Sequence, residues 1–132
     1  MKKELIICIV VIIIVIIGNI ITQNHTKQCV KQINQELTDL KEKILIQQEK
    51  EDKQQELKKK SKEIRKLWDD MQEMLSFYIE HDELEKVETQ LSLLDGEMET
   101  KLYDEAVPEI EKCQFILEHI ADKTALTIKN IF

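Results

Sequence analysis

From Leu5 to Ile21 the chain runs for 17 residues without a charged side chain, interrupted only by Gly18 and Asn19 near the far end. At 1.5 Å per residue such a helix covers about 25 Å, short for the hydrocarbon layer of a bilayer but sufficient to cross it. Beyond it the apolar residues take up a spacing of three and four. Val30, Ile33, Leu37, Leu40 and Ile44 fall on one stripe of a helix that continues from the apolar run. The stripe lapses in the polar stretch QQEKEDKQQE, residues 47–56, where a bend or connector near 48–54 is expected. It resumes at Leu57, Ile64, Leu67, Met71, Met74 and Tyr78.

A helix boundary is expected at His81-Asp82-Glu83-Leu84-Glu85, with Asp82 as N-cap and Glu85 completing a capping box. The helix it opens buries Leu84, Val87, Leu91, Leu94 and Met98, leaves Gly96 on a solvated face, and ends around Thr100 to Leu102. Tyr103 to Ala106 opens the last helix, with Asp104 and Glu105 favoured by the N-terminal dipole and Pro108 early enough to be tolerated. Its apolar face is Ala106, Ile110, Cys113, Leu117 and Ile120, and the tail is expected to dock Leu126, Ile128, Ile131 and Phe132 on the bundle.

The fold class is therefore all-α: one transmembrane helix followed by a small antiparallel bundle of three to four helices, resembling tetratricopeptide-type hairpins. The expected organisation is a short tail at 1–4, a transmembrane signal anchor at 5–21, a membrane-proximal helix and polar connector at 22–56, and the bundle at 57–132. Two glycines and one proline in 132 residues agree with long helices. Aromatics are few, so the core is read as aliphatic, built around Trp68, Phe77, Tyr78 and Phe115.

Charge is unevenly spread. Residues 22–66 hold twelve basic and eight acidic side chains, whereas residues 67–132 hold five and seventeen. The basic middle either neutralises the acidic helices by folding back on them or faces anionic lipid. Nucleic acid is excluded as a partner by the acidic excess and the lack of aromatics in the Lys58–Lys66 run. Lys2 and Lys3 precede the apolar run and favour an inside N-terminus with the domain outside, although Lys27 and Lys31 pull the other way. The exit Gly18-Asn19-Ile20-Ile21 lacks the small-residue pattern of a cleavage site, so an uncleaved anchor is expected. Cys8, Cys29 and Cys113 have no metal-ligand spacing; a Cys29–Cys113 bridge and free thiols are both open.

Chemistry is sparse. No phosphate loop, nucleophile elbow or zinc helix is present, and no cofactor or metal is expected. Candidate partner-binding residues are Trp68, His81, Asp82 and His119. For Trp68 the alternative is an ordinary core residue; for His81 and His119, with their acidic neighbours, it is helix-end polarity against a metal site.

With the helices placed, YIEHDELEKVETQLSLLDGEM and YDEAVPEIEKCQFILEHIADKTALTIKNIF, behind an N-terminal span, resemble the bacterial family of membrane-anchored helical proteins catalogued as domain of unknown function 4363, found mostly in spore-forming Firmicutes. The most specific segments are the Trp68 helix, the His81-Asp82-Glu83 turn, FILEHI at 115–120 and LTIKNIF at 126–132. Departures lie in the 47–56 stretch and at Gly96 and Pro108. The resemblance implies an architecture and a class of organism, and carries no activity or site residue. The leading expectation is a non-enzymatic interaction module in the cell membrane, its helical domain extracytoplasmic, engaging another membrane or envelope protein. The alternatives are a self-associating coiled coil of residues 30–80, giving a homo-oligomer, and a metal-dependent sensor or enzyme on His81 and His119.

Overall fold

The computed structural model describes the backbone of residues 1–47 and 51–131, and side-chain surroundings outside 47–52 and 126–132. Four helices account for nearly all of it: α1 Lys2–Gln47, α2 Glu51–Leu75, α3 His81–Glu99 and α4 Tyr103–Ile131. α1 is continuous for 46 residues, about 69 Å. None of residues 2–21 is buried in the rest of the protein, its most apolar stretch included. Among the described residues this is the one helix long and apolar enough, by length and composition, to cross a membrane.

Where α1 leaves the apolar run, Thr22 donates its hydroxyl to Asn19 O at 3.0 Å and Thr26 to Thr22 O at 2.8 Å. Both hydroxyls are thus satisfied within the helix, which needs no break there.

The second half of α1 packs against α2 and α4, and α3 packs against α2 and α4, while no Cα atoms of the diagonal pairs come within 8 Å of each other among the described residues. Polar pairs fix the antiparallel register: Ser61 with Asp95 at 2.8 Å and Lys58 with Glu99 at 2.8 Å between α2 and α3, and Lys41 with Glu111 at 2.7 Å between α1 and α4. Lys60 with Glu36 sets α1 on α2. The result is an up-down-up-down four-helix bundle. The boundary expected at residue 57 does not divide this packing. Val30, Ile33, Leu37, Leu40 and Ile44 are buried in the same core as Leu84, Val87, Leu91, Ile110 and Leu117. Residues 22–47 are thus no separate stalk but the first helix of the bundle, because three other stripes need a fourth to close on.

Three further expectations are corrected. The capping box does not form: α3 begins at His81, and Glu80 occupies the N-cap without a side-chain hydrogen bond, its carbonyl receiving Glu83 N and Leu84 N. Asp82 and Glu83 instead lie inside the first turn, where their charge suits the helix dipole. Second, of the four large side chains assigned to the core, Trp68 alone belongs there; Phe77 is 82% exposed and Phe115 71%, with Tyr78 at the surface. Third, α2 is already helical at Glu51, so the connector is shorter than 48–54. The expected docking of Leu126, Ile128, Ile131 and Phe132 concerns side chains outside the described set.

The α3–α4 turn is a Schellman motif, with Leu102 N bonding to Glu97 O at 2.9 Å, Lys101 N to Met98 O at 3.4 Å, and Lys101 at φ 59°. Beside it, burial and then the carboxylates of Glu109 and Glu105 push the Glu97 carboxyl above its usual range. The folded chain therefore bears a cost for ionising Glu97 that the unfolded chain does not. That cost is absent below the unfolded pKa and complete above the raised folded one. Glu97→Gln is expected to stabilise the bundle at neutral pH by about 0.5 kcal/mol. Thermal unfolding across a pH series should show the gain disappearing as the solution becomes acid enough to protonate Glu97 in the unsubstituted protein.

Candidate functional site

The basic middle and acidic end of the chain meet across helix seams. Besides Lys41–Glu111 and Lys58–Glu99, Arg65 on α2 pairs with Glu88 on α3 and lies 3.9 Å from Asp95. Trp68 belongs to this seam: its indole N–H donates to Glu88 Oε2 at 3.0 Å. With 1% of its surface exposed, it offers a partner nothing to grip, and the core reading of Trp68 replaces the anchor reading.

The other candidates are at the surface. His81 and Asp82 are exposed in the first turn of α3, and His119 is exposed on α4. Among the described residues no group of three or more His, Cys, Asp or Glu side chains is placed to hold an ion. Cys29 and Cys113 are both free and buried. Burial pushes the Cys113 thiol up to about 12, so it is an inert core side chain.

Where α1 emerges from its apolar run, the α2–α3 turn folds onto it. The Tyr78 hydroxyl lies 2.9 Å from both His25 Nδ1 and Thr26 Oγ1, and His25 Nε2 is 3.6 Å from Cys29 Sγ. One assignment of protons satisfies every contact. Thr26 gives its hydrogen to Thr22 O, so it accepts from Tyr78; Tyr78 then accepts from His25 Nδ1–H, leaving Nε2 to accept from the thiol. Burial raises both Cys29 and Tyr78 above their ordinary values, which keeps the donors this chain requires. Next to it is a cavity of about 170 Å³, lined among others by Asn19, Thr22, Tyr78, Glu83, Ile120 and Lys123. Burial pushes the Glu83 carboxyl up, but the ammonium groups of Lys86 at 3.2 Å and Lys123 at 3.5 Å outweigh it and hold the group below its usual range.

Higher on the bundle the outward side of α4 carries Phe115. Two residues beyond Cys113 and two before Leu117, both buried, it is turned about half a revolution from the core. Exposed Glu111 and Glu118 lie one turn to either side of it. The offset of Phe115 from the Cys113–Leu117 stripe is a signal in the sequence for its exposure.

The fold thus defines a four-helix antiparallel bundle carried on a long apolar N-terminal helix. The chain belongs to the family described as Domain of unknown function (DUF4363), whose model matches residues 20–131. That match opens at the end of the apolar run and takes in the bundle portion of α1, in keeping with the packing. No curated protein and no solved structure matches the chain.

Proposed function

We propose that the protein is a non-enzymatic, membrane-tethered interaction module. In this reading α1 crosses the cell membrane once as an uncleaved anchor, N-terminus inside, and holds the bundle on the extracytoplasmic side of a Firmicutes envelope. The outer face of α4 around Phe115 then engages a second membrane or envelope protein. The observation that carries the reading is Phe115 itself, an aromatic 71% exposed at the middle of a helix, with the charged side chains of Glu111, Lys112 and Glu118 one turn to either side of it. Large aromatics with a charged rim are the form that binding hot spots take.

The runner-up, an intermolecular coiled coil of residues 30–80, competes for side chains already in use. Val30 to Ile44 are consumed in the chain's own core.

The test is native purification in mild detergent. The unsubstituted protein is expected to run as a discrete complex with a second polypeptide, and Phe115→Ala to run as the free protein with unchanged thermal stability. Exposed substitutions of this kind shift stability by no more than about 0.5 kcal/mol. A complex that survives Phe115→Ala removes α4 as the docking face; an unsubstituted protein that runs alone removes the module reading.

A further inference from the structure

The α2–α3 turn presents Phe77 at 82% exposure and, one helical turn earlier, Met74 at 55%. Exposed apolar side chains scattered singly need no explanation, but the position of this pair does. The turn is tied to α1 at one height through Tyr78 and its bonds to His25 and Thr26. The turn's own backbone is closed by Tyr78 N to Leu75 O at 3.1 Å and Ile79 N to Leu75 O at 2.9 Å, so the height of Phe77 is fixed along with it.

That height can be compared with a bilayer. The apolar run of 17 residues spans only about 25 Å against a hydrocarbon layer of roughly 30 Å. Measured from Leu5, the layer ends about three residues beyond Ile21, next to His25. The chain there suits such a boundary: the hydroxyls of Thr22 and Thr26 donate to backbone carbonyls of their own helix.

We propose that the α2–α3 turn is a lipid-contacting element, with Phe77 and Met74 seated in the interfacial layer of the bilayer that α1 crosses. The inference rests on the proposed anchor and adds to it a second contact. Phe side chains of surface-lying segments bury at the boundary of headgroups and acyl chains, and here the covalent link to the span supplies the proximity that a free bundle would have to find by diffusion. Seating the turn makes up the shortfall of the span at its outer end. It also fixes the tilt of the bundle, which a single helix cannot do, and so sets the direction in which the outer face of α4 is presented.

The experiment uses the full chain in phosphatidylcholine vesicles, with added tryptophans read against the unsubstituted protein, whose one tryptophan, Trp68, stays in the bundle core. Phe77→Trp reports on the turn and Ile13→Trp on the middle of the apolar run; each replaces a side chain exposed in the structure. With Phe77→Trp the added emission is expected to be blue-shifted and mostly lost in vesicles brominated near the glycerol end of the acyl chains. Ile13→Trp should be quenched best by bromines near the chain ends. If Ile13→Trp is quenched while Phe77→Trp emits as it does in water whatever the bromination, the anchor stands and the seating of the turn is overturned. If neither is quenched, the anchor reading fails and takes the proposal with it.

Discussion

Trp68→Ala is expected to cost the bundle about 3–5 kcal/mol, the range for emptying a large aromatic site in a packed interior. The side chain is 1% exposed on the buried face of α2, among the core residues of the neighbouring helices. A void there strips contacts from several helices at once. The substitution also removes the donor to Glu88 Oε2, leaving that carboxylate with Arg65 alone. Small domains hold only about 5–15 kcal/mol in total, so the variant should sit near its unfolding transition at ordinary temperature. Urea unfolding in detergent, followed by far-ultraviolet circular dichroism, measures the loss. Trp68→Phe, which keeps most of the volume and forfeits the hydrogen bond, should fall between the two. A loss no larger than about 0.5 kcal/mol for Trp68→Ala, the size of a typical surface effect, would show that this seam is not a pillar of the fold.

The stripes on α1, α3 and α4 were legible because each consists of apolar residues at strict helical spacing, and each is buried where the spacing places it. α2 was read less well. Its buried positions include Leu57, Ser61, Ile64, Trp68 and Leu75, and a small polar residue in that series hid the phase. Ser61 is buried because it bonds to Asp95 on the facing helix, a tertiary reason with no trace in local pattern. The flanking Leu67 and Met71 then drew the reading toward Met74 and Tyr78, which lie at the surface.

The opening of α3 failed for a similar reason. Asp82 and Glu85 have the spacing of a capping box, but the chain enters the helix through a turn that Tyr78 pins to α1, and Glu80 reaches the N-cap first. A contact between residues 52 apart in sequence outranked a local preference worth about 1 kcal/mol. The candidate binding residues suffered from a different confusion. Aromatics in a chain with few of them were assigned to the core by composition, whereas the phase of Phe115 relative to Cys113 and Leu117 pointed it outward. Phase, weighed above residue type, puts Phe115 at the surface and Trp68 in the core.

The second large effect concerns α1. Ile9→Arg combined with Ile13→Arg is expected to move the protein out of the membrane fraction. Each arginine near the centre of a spanning helix costs about 2.5–3.5 kcal/mol on the insertion scale, while each isoleucine removed forfeits a favourable few tenths. Both positions are 48% exposed in a stretch that the bundle does not cover, so the substitutions touch no packing within the protein. The bundle should consequently keep its helical signal and its unfolding temperature, and the carbonate-resistant fraction alone should collapse. Gln23→Arg, placed beyond the apolar run, serves as the control, since long basic side chains at a helix end extend to the headgroups at little cost. The combination separates two roles that one continuous helix performs. α1 from Thr26 onward is held by core contacts that the arginines do not reach, whereas none of residues 5–21 is buried within the described protein, and they depend on what surrounds them. If the double variant resists carbonate as the unsubstituted protein does, the apolar half of α1 is not a span, and the exposure of its isoleucines must be relieved by protein contacts instead.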